Sequence, residues 1–193
     1  MEHVDESVFL WINGWVGNSL ALDRVMGWVV SDYLIPANLI LFLIFIWFAG
    51  NTREARLRHQ IGVFVALSSM GCASLVVFIA NAIYFRPRPF VDHEVSLLFY
   101  QPTDSSFPAN STAVAVAVAV AVWGVNRRIG CALFAISVVY GLARVYAGVH
   151  YPLDIIGGAA IGVGVAYTMP IVMRLAEPLP TVLIRAARIF CLA

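Results

Sequence analysis

The stretch Gly141-Leu-Ala-Arg-Val-Tyr-Ala-Gly-Val-His-Tyr-Pro-Leu-Asp154 joins two long apolar runs, at about 129–148 and 153–173. A helix needs roughly 20 residues to cross a hydrocarbon layer about 30 Å thick, and each run is that long. Between them stand Arg144, His150 and Asp154, where charge is expensive and so points to function. Pro152 suits the first turn of a new helix, because its missing N–H has no partner there anyway. Asp154 then falls in that first turn and His150 on the connection before it, close enough for the carboxylate to hold the imidazole. An imidazole held in this way has one ring nitrogen fixed as a donor and the other free as nucleophile or base. Arg144, near the end of the first run, carries a planar fork of donors suited to phosphate or carboxylate oxygens. Each residue alone has a plainer reading, as a helix cap, a loop histidine or an arginine that snorkels to an interface. Their coincidence at one membrane boundary favours a site.

Composition sets the class around this stretch. With 61% hydrophobic and 12% charged residues, the chain reads as an integral membrane protein. Further spans are expected at about 34–49, 60–84 and 110–124. The fold class is therefore all-α, a polytopic helical bundle of about five to six transmembrane helices within one domain over 1–193. Its parts are N-terminal amphipathic helices in 1–33, a transmembrane core in 34–175 and a C-terminal cytoplasmic-side segment in 176–193. Trp11, Trp15 and Trp28 suggest that the N-terminal helices lie at the interface, with core aromatics as the plainer reading. From Ala113 to Val122 alanine and valine alternate like a strand, but an isolated strand in lipid leaves its backbone unpaired, so a helix is expected. Gly157, Gly158, Gly162 and Gly164 would let neighbouring helices approach closely. Cys72, Cys131 and Cys191 show neither disulfide nor zinc spacing and read as small hydrophobes. Asp92 with His93 is too small a cluster for a metal, so none is expected.

The chain has no lysine, and its arginines set the orientation. Arg53, Arg56 and Arg58 share one loop, Arg127 and Arg128 another, and Arg174, Arg185 and Arg188 the C-terminal segment. Counting five spans in order brings all three groups to one side, which the positive-inside rule makes cytoplasmic. The N-terminus, residues 85–109 and His150 then face outward.

That long outer loop opens with Asn81-Ala-Ile-Tyr-Phe-Arg-Pro-Arg-Pro-Phe90 and closes with Ser106-Phe-Pro-Ala-Asn-Ser-Thr112. Pro87 and Pro89 stiffen the segment that displays Arg86 and Arg88. Pro108, Asn110 and Ser111 read as a helix start, with capping side chains and free N–H groups suited to an anion. Arg86 reads best as part of an ordinary Pro-rich exit.

Taken together, these residues resemble the type 2 phosphatidic acid phosphatase (PAP2) superfamily. Arg144, five residues, His150, three residues and Asp154 resemble its third signature, and Arg88-Pro89 the end of its first. Pro108-Ala-Asn-Ser111 falls where its second signature stands. Within the superfamily, Phe85-Arg-Pro-Arg-Pro-Phe-Val91 followed by His93, and Val149-His-Tyr-Pro-Leu-Asp154, are most similar to bacterial undecaprenyl-diphosphate phosphatases of the bacitracin-resistance type. The resemblance implies a bacterial inner-membrane enzyme with its site on the outer face. It acts without cofactor or metal on a polyprenyl diphosphate, recycling carrier lipid for cell-wall synthesis, with no nucleic-acid partner. His150 would attack phosphorus, Asp154 would orient it, and Arg88, Arg144 and the backbone at Ala109 and Asn110 would hold the oxygens.

Three departures from the family pattern follow. Asn81 stands where the family often has lysine, which exchanges a charge for a neutral donor at the phosphate. Ala109 replaces a serine hydroxyl but keeps its N–H. Ser111 stands where the family has the histidine that protonates the leaving group, and a serine hydroxyl cannot do that near neutral pH. The resemblance therefore implies weakened catalysis. A lipid monophosphate must expel an alkoxide, whereas a lipid diphosphate expels a phosphate with a pKa near ~6, so the missing acid hurts a diphosphatase least. The alternatives are a phosphatidylglycerophosphate or phosphatidate phosphatase, and a non-catalytic lipid-phosphate-binding or flipping protein.

Overall fold

In the computed structural model, residues 2–178 and residue 182 are described, and among them every regular element is a helix. The helices are α1 (Glu2–Asn13), α2 (Leu20–Val29), α3 (Leu34–Phe48), α4 (Arg53–Ile83), α5 (Pro89–Asp92), α6 (Asn110–Trp123), α7 (Arg127–Tyr146) and α8 (Pro152–Leu175). The five long ones fall where the apolar runs predict. The C-terminal segment, with Arg185, Arg188 and Cys191, lies almost wholly outside the described residues.

Only α4, α7 and α8 are both long and apolar enough to cross a membrane alone. The helices α2 and α3 meet the same measure only as a pair, bent by 53° at their junction. The remaining helix, α6, has 14 residues and spans only ~21 Å at 1.5 Å per residue. Sequence reading counted α6 as an ordinary span, and the structure shows why it differs. It is the axis of the bundle, surrounded by α4, α7 and α8, which shield it from lipid. The Ala-Val alternation of residues 113–122 is helical, and small apolar side chains on every side suit a helix buried all round.

Glycine fixes how close α8 comes to α6. A Cβ at Gly158 would lie 2.4 Å from the Ala109 carbonyl oxygen, and one at Gly162 would lie 2.5 Å from that of Ala113. Only glycine permits this approach, which presses the start of α8, with Asp154, onto the start of α6. Gly164 faces open space and has no such role.

The connections 84–109 and 147–151 meet at one end of the bundle, together with α1 and α2. The turns at 49–52 and 124–126, with the arginines that open α4 and α7, and the end of α8 lie at the other. The N-terminal helices are more than surface ornaments. Phe9 of α1 is fully buried, edge-on to Tyr151 at 5.3 Å, while Asn13 donates to the Ser96 and Tyr146 carbonyls, each at 2.9 Å. Trp11, Trp15 and Trp28 stay exposed on the outside of these helices, which accords with an interfacial position.

Candidate active site

At the end where 84–109 and 147–151 meet, a cavity of about 300 Å³ lies over the first turns of α6. It is lined by Arg88, Asp104, Asn110, Ser111, Arg144 and His150, and further by Asp32, Tyr100, Tyr140 and the α3 residues Pro36 and Leu39.

His150 is buried, and the main chain fixes its ring. Its Nδ1 lies 2.9 Å from the Ser106 carbonyl oxygen, which can only accept, so Nδ1 carries the proton and Nε2 the lone pair. The nearest Asp154 oxygen is 3.7 Å from Nδ1, too far for a hydrogen bond. This corrects the expectation that Asp154 itself orients the imidazole. It acts one residue removed: the Ser106 hydroxyl donates to Asp154 at 2.5 Å and stands 3.5 Å from Nδ1.

Asp154 is the third residue of α8, behind Pro152, as the sequence predicts. It accepts the Tyr151 N–H at 2.8 Å, so it is a helix cap as well. Its other oxygen accepts from Arg86 at 2.6 Å, and Arg86 also donates to Asp5 of α1 at 2.7 Å. Reading Arg86 as a plain loop arginine is therefore overturned. A buried carboxylate needs such partners, because unpaired it would cost several kcal/mol.

Two arginines face the cavity. Arg88 places Nη1 3.2 Å from His150 Nε2 and 2.8 Å from the Val149 carbonyl, while Nε and Nη2 reach Asp104 at 3.1 and 2.8 Å. The Asp104 side chain is 62% exposed. Arg144 donates to Asp32 and, at 2.8 Å, to the Tyr140 hydroxyl, and its Nε is buried without a hydrogen-bond partner. The His150 imidazole and cationic donors thus converge on one volume, in which an anion could displace exposed carboxylates. Burial lowers the His150 pKa below its ordinary value; Asp154 opposes this and Arg88 adds to it.

The other predicted residues divide. Asn110 and Ser111 line the cavity, and the buried Ser111 hydroxyl has no hydrogen-bond partner. Neither caps α6, whose N-cap is Ala109 with no side-chain bond. The Ala109 N–H, expected on the phosphate, donates instead to the Asp154 carbonyl at 3.0 Å and so cannot bind an anion as it stands. Asn81 lines a neighbouring cavity that shares Asp104 and Asn110 with the first. Among the described residues no group of three or more histidine, cysteine or acidic side chains could hold a metal ion.

Sequence reading missed Ser106, Arg86, Asp5, Asp32 and Asp104. Arg86 carried a usable signal: a second arginine two residues before Arg88, directly ahead of Pro87 and beside a signature, in a chain most of whose arginines were expected on the opposite side.

This geometry can be set beside known proteins. The chain is 32% identical over 161 residues to undecaprenyl-diphosphatase BcrC of Bacillus subtilis, covering 83% of this chain and 79% of that protein. It is 26% identical over 163 residues to the putative undecaprenyl-diphosphatase YbjG of Escherichia coli, covering 84% and 79%. The crystal structure of Aquifex aeolicus LpxE superposes with a TM-score of 0.64 at 28% identity, covering 84% of this chain and 92% of that one. A Bacillus subtilis PAP2-type phosphatidylglycerolphosphate phosphatase shares the fold, with a TM-score of 0.66 at 18% identity and coverage of 92% and 88%. Residues 62–177, which hold the whole cavity apart from the α3 wall and Asp32, match the PAP2 superfamily, and this multi-pass membrane chain belongs to it.

Proposed function

We propose that this protein is an undecaprenyl (polyprenyl) diphosphate phosphatase that works through a phosphohistidine on the outer face of a bacterial inner membrane. The observation that carries this reading is His150 itself: Nδ1 donates to the Ser106 carbonyl, and Nε2, which holds the lone pair, faces the cavity and accepts from Arg88 Nη1 at 3.2 Å. The lipid diphosphate would enter the cavity with its terminal phosphate replacing Asp104 on Arg88. The Asp104 carboxylate is the exposed member of that pair, and an incoming phosphate offers the buried Arg88 a replacement anion, so the charge is not left unpaired. Nε2 then bonds to phosphorus, and the bridging P–O bond breaks with its electron pair on the leaving lipid monophosphate. Water later attacks the phosphohistidine and releases phosphate. Arg88 and Arg144 stabilise charge on the transferring group, which is most of what phosphoryl transfer requires.

Ser111 favours a diphosphate over a monophosphate substrate. It sits in the cavity with an unpartnered hydroxyl and cannot protonate an alkoxide, whereas a phosphate leaves with little help. The same residue supports the second reading, a lipid-phosphate binder or flippase that keeps the anion pocket without turnover. Phosphate release from undecaprenyl diphosphate in detergent separates them. The parent should release phosphate and His150→Ala should not; equal release by both would remove His150 from the reaction, and none from either would favour the binder.

A further inference from the structure

The N-terminal helix places a charge next to this site, and no part of the reaction described so far uses it. The Asp5 side chain is 1% exposed, yet burying a carboxylate is costly where an apolar residue would anchor α1 more cheaply. Phe9 and Asn13 already fasten that helix. Asp5 receives two donors from the core of the site, Arg86 Nη2 at 2.7 Å and the Leu153 N–H at 2.9 Å. Arg86 also stacks over the Tyr151 ring at 4.2 Å, which holds it between the two carboxylates.

We propose that Asp5 is a positioning residue for the reaction at His150: through Arg86 it keeps the buried group beneath the imidazole net negative. Asp5, Arg86 and Asp154 together carry two negative charges and one positive, a net of −1. Without Asp5 the remaining pair cancels. The proposal rests on His150 as the nucleophile. When Nε2 bonds to phosphorus and the leaving oxygen takes the electrons of the broken bond, the ring keeps its Nδ1 proton and becomes cationic. The other charges facing it are Arg88 from the 84–88 connection and Arg144 from α7, both positive. Their partners, Asp104 and Asp32, sit on the cavity side, where substrate competes with them. The Asp5 trio is then the negative charge that substrate binding leaves in place.

The test reads His150 directly. Its titration midpoint is followed by nitrogen-15 NMR of histidine-labelled protein in micelles, with His150→Ala to assign the signal, alongside kcat and KM for undecaprenyl diphosphate. Asp5→Asn should lower the midpoint by about one pH unit, as one charge at roughly 10 Å does at an effective dielectric near 20. It should also lower kcat about tenfold with KM little changed, while Asp5→Glu keeps both. Adding Arg86→Gln to Asp5→Asn restores the net −1 and should return the midpoint towards the parent's, which a purely structural role would not do. An unchanged midpoint in Asp5→Asn, or no recovery in the double variant, overturns the proposal. If Asp5→Asn does not fold, Arg86→Gln alone should raise the midpoint, and no rise overturns it equally. A normal midpoint pattern with no phosphate release from any protein would instead overturn the reading of the reaction, and with it the kinetic half of the proposal.

Discussion

The Nδ1 of His150 donates to the main-chain carbonyl of Ser106 at 2.9 Å, while the nearest Asp154 oxygen stands 3.7 Å away. Backbone therefore sets the tautomer, and the carboxylate contributes charge. In Asp154→Asn the neutral imidazole should remain protonated on Nδ1, as read by nitrogen-15 chemical shifts. A switch to the Nε2–H tautomer would contradict this division of labour. Ser106→Ala removes a hydrogen bond to a charged group and should cost about 1.5–3 kcal/mol in detergent unfolding. It should slow turnover less than Asp154→Asn, since the Ser106 carbonyl stays.

Activity should persist into mild acid. Attack requires neutral imidazole, and burial places the His150 pKa below its ordinary 6.5. The acid limb of kcat/KM should therefore fall below pH 6.5; a limb above 7 would mean that Asp154 outweighs burial. Linkage gives the matching stability trend. The unfolded chain takes up the proton first, so this group's contribution is present above about pH 6.5 and is lost as pH falls below it.

Glycine at the α6–α8 crossing should be irreplaceable. Gly158→Ala would drive a Cβ into the Ala109 carbonyl at 2.4 Å, and backbone on both sides leaves little room to yield. A loss of about 1–3 kcal/mol is expected, with falling turnover, because the same contact seats Asp154. Gly164→Ala meets nothing within 4 Å and should be neutral or stabilising by up to about 1 kcal/mol. Equal effects from the two substitutions in a thermal-shift assay would refute the packing argument.

Orientation can be read with cysteines placed in a background lacking the native ones. Thr103→Cys, in the 84–109 connection, should react with an impermeant maleimide in intact cells, and Arg128→Cys, at the start of α7, should react only after permeabilisation. The reverse pattern would turn the site towards the cytoplasm.

The bundle was legible because apolar runs and helices coincide: the run at 34–49 is the helix Leu34–Phe48, and the run at 110–124 is the helix Asn110–Trp123, although neither is long enough to be a span by itself. His150, Arg88 and Arg144 stood out because charge is rare beside such runs. What escaped was every partner that acts through the main chain or across long separations. Ser106 holds His150 by a carbonyl, an acceptor that all residues possess, so no side-chain pattern announces it. Asp5 and Arg86 are 81 residues apart, and it is the docking of α1, through Phe9 on Tyr151 and the Asn13 hydrogen bonds, that brings them together. The N–H of Ala109 looked free because helix starts leave such groups unpaired, but the close approach of α8 supplies the Asp154 carbonyl to it.

Ser111 offers the most direct test, because a histidine there would supply the proton donor that the proposed reaction lacks. Phosphate release from undecaprenyl diphosphate and from phosphatidate is measured for the parent, Ser111→His, His150→Ala and the double variant. General acid–base catalysis typically contributes 10²- to 10⁴-fold, so Ser111→His should raise turnover, more on phosphatidate with its poorer leaving group than on the diphosphate. The gain should vanish in the double variant, where the acid has no nucleophile to serve. No gain in folded Ser111→His protein that still binds lipid phosphate, or a gain that survives His150→Ala, would contradict a phosphohistidine mechanism in this cavity.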